Sequence, residues 1–186
     1  YVTGASLRSW VGNKCAGYLA LEGGTIVCSN EFRMALGSAA ACAEVIVGDG
    51  DEAGQPALLS VGNSFFCVTT VAGTTGRLTV RKGGTVSAHY LYVGSEYTTL
   101  VLDGGTLNKV AEYTGDARCT GYFYGYINNT GHATTDRPLK FQVTDNGGTI
   151  NLLAPARFCT PLTLADGATS AKLHKRGPGK LTLDEV

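Results

Sequence analysis

Two acidic residues hold positions from which a sugar-cleaving site would be built. Asp103 directly precedes Gly104-Gly105-Thr106, and Asp145 stands just before Gly147-Gly148-Thr149. Hydrolysis of a glycosidic bond needs two carboxyl groups about 5–9.5 Å apart on one exposed face. With a repeat of about 20 residues the two aspartates fall about two coils apart. A strand end beside a glycine pair is also where a turn-forming Asp belongs. The turn reading is the stronger; a catalytic pair of Asp103 and Asp145 is its alternative. Asp49, Asp51 and Glu52, in Gly48-Asp49-Gly50-Asp51-Glu52, offer oxygen ligands for calcium but lack the spacing of a calcium loop, and are expected to form a solvated corner. His89, His132 and His174 are remote in sequence from acids and from each other, and no Gly-x-Ser-x-Gly elbow occurs. The expectation is a protein with no catalytic centre, metal or cofactor.

The six cysteines, Cys15, Cys28, Cys42, Cys67, Cys119 and Cys159, are even in number and favour an oxidising compartment. A disulfide between stacked coils requires cysteines one repeat apart, because coils lie about 4.8 Å apart and bonded Cα atoms about 4.4–6.8 Å apart. None is cleanly so spaced. Cys119 and Cys159 occupy matching positions two repeats apart, about 10 Å. Pairing and a wholly reduced, packed set both stay open, with Cys28 expected in the core. No Cys-x-x-Cys or Cys/His cluster suggests zinc. The aromatic run Tyr122-Phe123-Tyr124-Gly125-Tyr126, with Tyr90, Tyr92 and Tyr97 one to two coils earlier, has two readings. Alternation puts Tyr122, Tyr124 and Tyr126 on one face, where with Tyr92 they would bind a glycan or protein, or else fill a wide part of the interior.

These side chains must be positioned by a repeat. Gly-Gly-Thr occurs at 23–25, 83–85, 104–106 and 147–149, with a degenerate Gly167-Ala168-Thr169. An apolar-x-apolar triplet recurs at Leu19/Leu21, Val45/Val47, Leu59/Val61, Leu78/Val80, Leu100/Leu102, Tyr122/Tyr124, Phe141/Val143, Leu162/Leu164 and Leu181/Leu183. Period two marks short strands, and glycine corners at a fixed interval mark a solenoid in which each unit buries its apolar face only against its neighbours. The prediction is an all-β chain, a single β-solenoid domain over 1–186 with eight to nine coils of about 20 residues, and a fragment of a longer or processed chain. Glu31 to Glu44 is the best helical candidate, or else a rung of small side chains. Ala111 to Asp116 and Asn128 to Arg137 interrupt the pattern and are expected to loop out.

Lys plus Arg and Asp plus Glu are equal at 15 each, with no long basic stripe, which argues against a nucleic-acid partner. No apolar run approaches the 18 or so residues of a membrane span. The segment Leu173-His174-Lys175-Arg176-Gly177-Pro178-Gly179-Lys180-Leu181-Thr182-Leu183 resembles the repeat of autotransporter passenger domains, and Leu78–Val86 and Leu91–Ser95 are similar to glycine-rich repeats of the same bacterial proteins, whose solenoid is of the pectin-lyase-like type. The resemblance implies a right-handed parallel β-helix that is secreted or displayed at a bacterial surface, commonly adhesive or structural. Six cysteines depart from the cysteine-poor passenger pattern. The expected function is therefore a non-enzymatic surface spacer, adhesin or filament component. It would associate with itself, other surface proteins or glycans through its ends or an aromatic face. The alternative is a polysaccharide hydrolase or lyase.

Overall fold

A computed structural model describes residues 9–38, 40–51, 53–62, 66–69, 72–95, 97–112, 122–127, 133–134, 140–158, 160 and 162–183. In chain order the strands are β1 (Ser9–Asn13), β2 (Ala16–Leu21), β3 (Gly24–Cys28), β4 (Phe32–Leu36), β5 (Cys42–Val47), β6 (Ala57–Val61), β7 (Phe66–Thr69), β8 (Thr75–Arg81), β9 (Gly84–Ala88), β10 (Leu91–Val93), β11 (Tyr97–Asp103), β12 (Thr106–Lys109), β13 (Tyr122–Ile127), β14 (Ala133–Thr134), β15 (Lys140–Val143), β16 (Gly148–Leu152), β17 (Ala156–Phe158), β18 (Leu162–Leu164), β19 (Leu173–Arg176) and β20 (Leu181–Leu183). No helix occurs among the described residues. The Glu31 to Glu44 stretch supplies β4 and β5, because alternating burial of Phe32, Met34, Ala43 and Val45 asks for period two.

Three sheets result. The first runs β1-β4-β7-β10-β13-β17-β20, the second β2-β5-β8-β11-β15-β18, and the third β3-β6-β9-β12-β16-β19, with β14 attached antiparallel to β13. Every other strand pair is parallel, and the chain visits the sheets in rotation, an arrangement consistent with a β-solenoid. The second and third sheets hold six strands each, so the described chain passes round about six times where eight to nine coils were expected. The coils are longer than the expected repeat and unequal. Phe141 pairs with Leu162, close to one expected repeat further along, whereas Thr99 pairs with Lys140, about twice as far away in sequence. That longest step spans both segments expected to loop out, most of which lies outside the described residues.

The apolar triplets explain the miscount. Six of them form one in-register ladder in the second sheet, Leu19-Val45-Leu78-Leu100-Phe141-Leu162, with Leu21-Val47-Val80-Leu102-Val143-Leu164 beside it. The other three belong to different sheets: Leu59/Val61 to the third, and Tyr122/Tyr124 and Leu181/Leu183 to the first. From Val45 to Val143 the ladder residues are no more than 1% exposed, so neighbouring coils give each apolar side chain the desolvation that no single coil provides.

Gly-Gly-Thr lies at the corner between the second and third sheets in each copy, and Thr85, Thr106 and Thr149 are direct register partners. Gly24 and Gly147 have φ of 78° and 72°. A Cβ on Gly24 meets nothing within 4 Å, whereas one on Gly147 strikes the Lys172 carbonyl oxygen, which accepts the Gly148 N–H at 3.0 Å. Left-handed φ costs a non-glycine residue about 1–2 kcal/mol. Gly24→Ala is expected to lower unfolding free energy by about that amount, and Gly147→Ala by at least about 1 kcal/mol more, since it also displaces an inter-coil bond. Urea denaturation of the two variants measures the difference; equal losses would show that crowding at the corner is irrelevant.

Candidate functional site

The acids singled out in the sequence stand on neighbouring coils. Leu102 pairs directly with Val143, so Asp103 and Asp145 leave adjacent strands, β11 and β15, and are not two coils apart. The long excursion between these strands defeats an argument from a constant repeat. Each aspartate is engaged at a corner between coils. Asp103 Oδ1 accepts hydrogen bonds from Thr144 Oγ1 at 2.6 Å and Asn146 Nδ2 at 2.7 Å, both on the next coil. Asp145 Oδ1 accepts the backbone N–H groups of Ser170 at 2.7 Å and Thr169 at 2.8 Å. These backbone donors, Ser170 first and then Thr169, hold the Asp145 carboxyl below its ordinary pKa. A proton donor for glycoside cleavage needs the opposite shift.

The acidic glycine turn is built the same way. Asp49 Oδ1 accepts the Asp51 N–H at 2.8 Å and Asp51 Oδ1 the Ala53 N–H at 3.0 Å, so both carboxylates close their own turns. Glu52 lies outside the described residues, among which no group of three metal-ligating side chains occurs. Cys28 is 5% exposed, in the core as expected, with its thiol 3.5 Å from Ser9 Oγ. Cys15 and Cys42 are exposed free thiols. Cys67 lies in β7, where its side chain is not described, and Cys119 and Cys159 fall outside the described residues. His89 is part-buried, its Nδ1 2.6 Å from the Gly62 carbonyl oxygen. His174 is exposed, and His132 is not described.

Within the aromatic run, Phe123 and Tyr124 face the interior and not an outer surface. Tyr124 is fully buried, in register with the buried Leu91 and Phe158 of its neighbouring strands. A register shift between Tyr122 and Tyr124 inserts Phe123 as an extra residue, and Phe123 and Tyr124 are both 0% exposed. With Phe141 and Phe158 they fill the interior, Phe141 stacked on Phe158 at 4.8 Å and Phe123 edge-on to Phe158 at 5.7 Å. The Tyr124 hydroxyl donates to the Lys140 carbonyl at 3.4 Å, and burial pushes its pKa well above the ordinary tyrosine range. Tyr92 is half-buried beside Tyr90, their rings 6.5 Å apart. The side chains of Tyr122 and Tyr126 lie outside the described set. The interior-filling reading holds for Tyr124.

Sequence reasoning missed Lys109. It ends β12 at an inward position paired with Ala88 and Leu152 and is 0% exposed. Its ammonium reaches Glu112 Oε2 and the His89 carbonyl, each at 3.4 Å, and lies 5.9 Å from the Phe123 ring centroid. A lysine in an apolar register position was the available signal. The Lys109–Glu112 bridge and the aromatic wall join the core to the start of the chain's longest step.

In comparisons with known proteins, no family, no curated protein and no solved structure matches the chain. Among the described residues no helix is long and apolar enough to cross a membrane.

Because Asp145 is more acidic folded than unfolded, its contribution is full above the ordinary carboxylate pKa and is lost as pH falls through the lowered one. Asp145→Ala should therefore melt at a lower temperature than the parent at neutral pH, with the gap closing below about pH 4. Circular-dichroism melts at both pH values test this; a gap independent of pH sinks the carboxylate explanation. Lys109→Ala is expected to cost about 2–4 kcal/mol through the void and the carboxylate left behind, and Lys109→Met less. Chemical denaturation should rank them in that order.

Proposed function

We propose that this chain is one domain of a single right-handed parallel β-solenoid working outside the cell or at a bacterial surface as a non-enzymatic spacer, adhesin or filament component. One observation carries the reading. The side chains best suited to chemistry, Asp103, Asp145, Asp49 and Asp51, each commit Oδ1 to a turn or to bonds between coils. The strict rotation among three parallel sheets supports the solenoid, and the likeness of its repeats to autotransporter passengers supports the handedness and location. The number of cysteines favours an oxidising compartment. Autotransporter-like export remains part of the proposal.

The mechanism is mechanical. Backbone pairing between coils gives a stiff rod, and contacts with self, surface proteins or glycans come through its ends or an outer aromatic face. At one end Leu164 and Leu183 are 49% and 37% exposed although they continue inward ladders. A further coil, from this or a second copy, would bury them and pair with β18 and β20. Light scattering is expected to show association rising with concentration and falling in Leu164→Lys and Leu183→Lys. Monomers throughout would rule out end-to-end assembly. Cleavage of a polysaccharide abolished by Asp103→Ala would overturn the non-enzymatic reading.

A further inference from the structure

The outer face of the second sheet carries two exposed rings. Tyr18 is 65% and Tyr97 57% exposed, the largest exposures among the big apolar side chains described. Their positions follow from the register. Ala16, Cys42, Thr75 and Tyr97 form one row across β2, β5, β8 and β11, and Tyr18, Glu44, Arg77 and Thr99 form the next row, two residues along. The rings are thus three strand spacings apart and offset by two residues, about 16 Å. Small residues floor the strands between them: Ala16, Cys42 and Thr75, with Tyr18, Glu44 and Arg77, line a groove of about 440 Å³, and Tyr97 follows beside Thr75, just beyond that lining. That volume lies within the usual range for ligand sites, about 300–1,000 Å³.

The floor is electrically balanced. Arg77 Nε lies 3.9 Å from Glu44 Oε1, beyond hydrogen-bond distance, and the side chains are 49% and 43% exposed. The pair cancels its own charge, so it gives no purchase to a polyanion. It still offers a guanidinium donor and carboxylate acceptors to hydroxyl groups. Tyrosine supplies an apolar ring face with a polar tip, suited to the C–H face and rim hydroxyls of a sugar.

We propose that this trough binds a linear, uncharged oligosaccharide, with sugar rings seated on Tyr18 and Tyr97 and hydroxyls bonded to Glu44 and Arg77. The inference gives a ligand to the adhesive side of the proposed function and is independent of end-to-end assembly. The separated rings require a ligand several sugars long, so a short one reaches only one of them.

Isothermal titration calorimetry of the whole chain with cellohexaose, xylohexaose, cellotriose and a galacturonic-acid hexamer tests it. At least one neutral hexamer should bind. If that is cellohexaose, cellotriose should bind at least fivefold more weakly. The acidic hexamer should also bind more weakly, and Tyr18→Ala and Tyr97→Ala should each lower the neutral hexamer's affinity at least fivefold. Both tyrosines are exposed, so melting temperatures should hold, and concentration-dependent scattering of the variants should match the parent. Failure of both neutral hexamers to bind, tighter binding of the acidic one, or unchanged affinity in both tyrosine variants would overturn the inference. With scattering intact, that failure leaves the assembly reading standing; monomeric scattering with glycan binding retained does the reverse.

Discussion

Register between neighbouring coils is the constraint on which the rest depends. A parallel ladder places each residue about 4.8 Å from its counterpart on the next coil, so one side-chain choice is repeated along the whole stack. The ladder from Leu19 through Phe141 to Leu162 satisfies this with apolar residues of varied size. Where the interior receives Phe123, Tyr124, Phe141 and Phe158 together, packing is settled by rings meeting edge-on or stacked. A slip of one residue would turn every such row toward water, so register and burial fix each other.

Corners obey the same constraint with different chemistry. Turning the chain exposes backbone groups that a strand would have paired, and the next coil must satisfy them. Gly104 N–H donates to the Gly147 carbonyl at 2.8 Å, and Thr149 N–H to the Gly105 carbonyl at 2.9 Å, so successive Gly-Gly-Thr corners bond directly to one another. Where the backbone leaves donors over, a carboxylate supplies the acceptor, as Asp145 does for Ser170 and Thr169. A carboxylate fixed by two backbone donors is stabilised in its charged form, which suits it to structure and leaves it without a proton to donate near neutral pH.

Architecture was legible because the fold repeats its instructions. Alternation, glycine corners and apolar triplets all report local geometry, and each sits where that geometry is used. Distances between coils were not legible, because they depend on how much chain each coil spends at its corners. The long excursion from Thr99 to its partner Lys140 puts Asp103 and Asp145 on adjacent coils despite their separation in sequence. Tyr124 was ambiguous for another reason: one inserted residue, Phe123, resets which side chains face inward, and alternation carries no signal for a bulge. Lys109 follows the period faithfully, yet its charge disguises an inward position that only its register partners Ala88 and Leu152 disclose.

The outer surfaces divide by whether they satisfy themselves. On the third sheet Ser87, Asn108 and Asn151 form a row in which Asn108 donates to Ser87 at 3.1 Å and Asn151 to Asn108 at 3.0 Å. That row consumes its polar groups along the stack and adds lateral order to the wall. On the second sheet the middle row, Ile46, Thr79, Val101 and Gln142, is 9% exposed or less and is part of the packing. Toward the strand beginnings long side chains stand clear, with Tyr18 and Tyr97 outward and Glu44 and Arg77 in a loose ion pair at 3.9 Å. The proposed recognition surface therefore lies where the ladder's demands are weakest, at outward positions whose neighbours are small. Substitution there leaves both inward register and corner bonding unchanged.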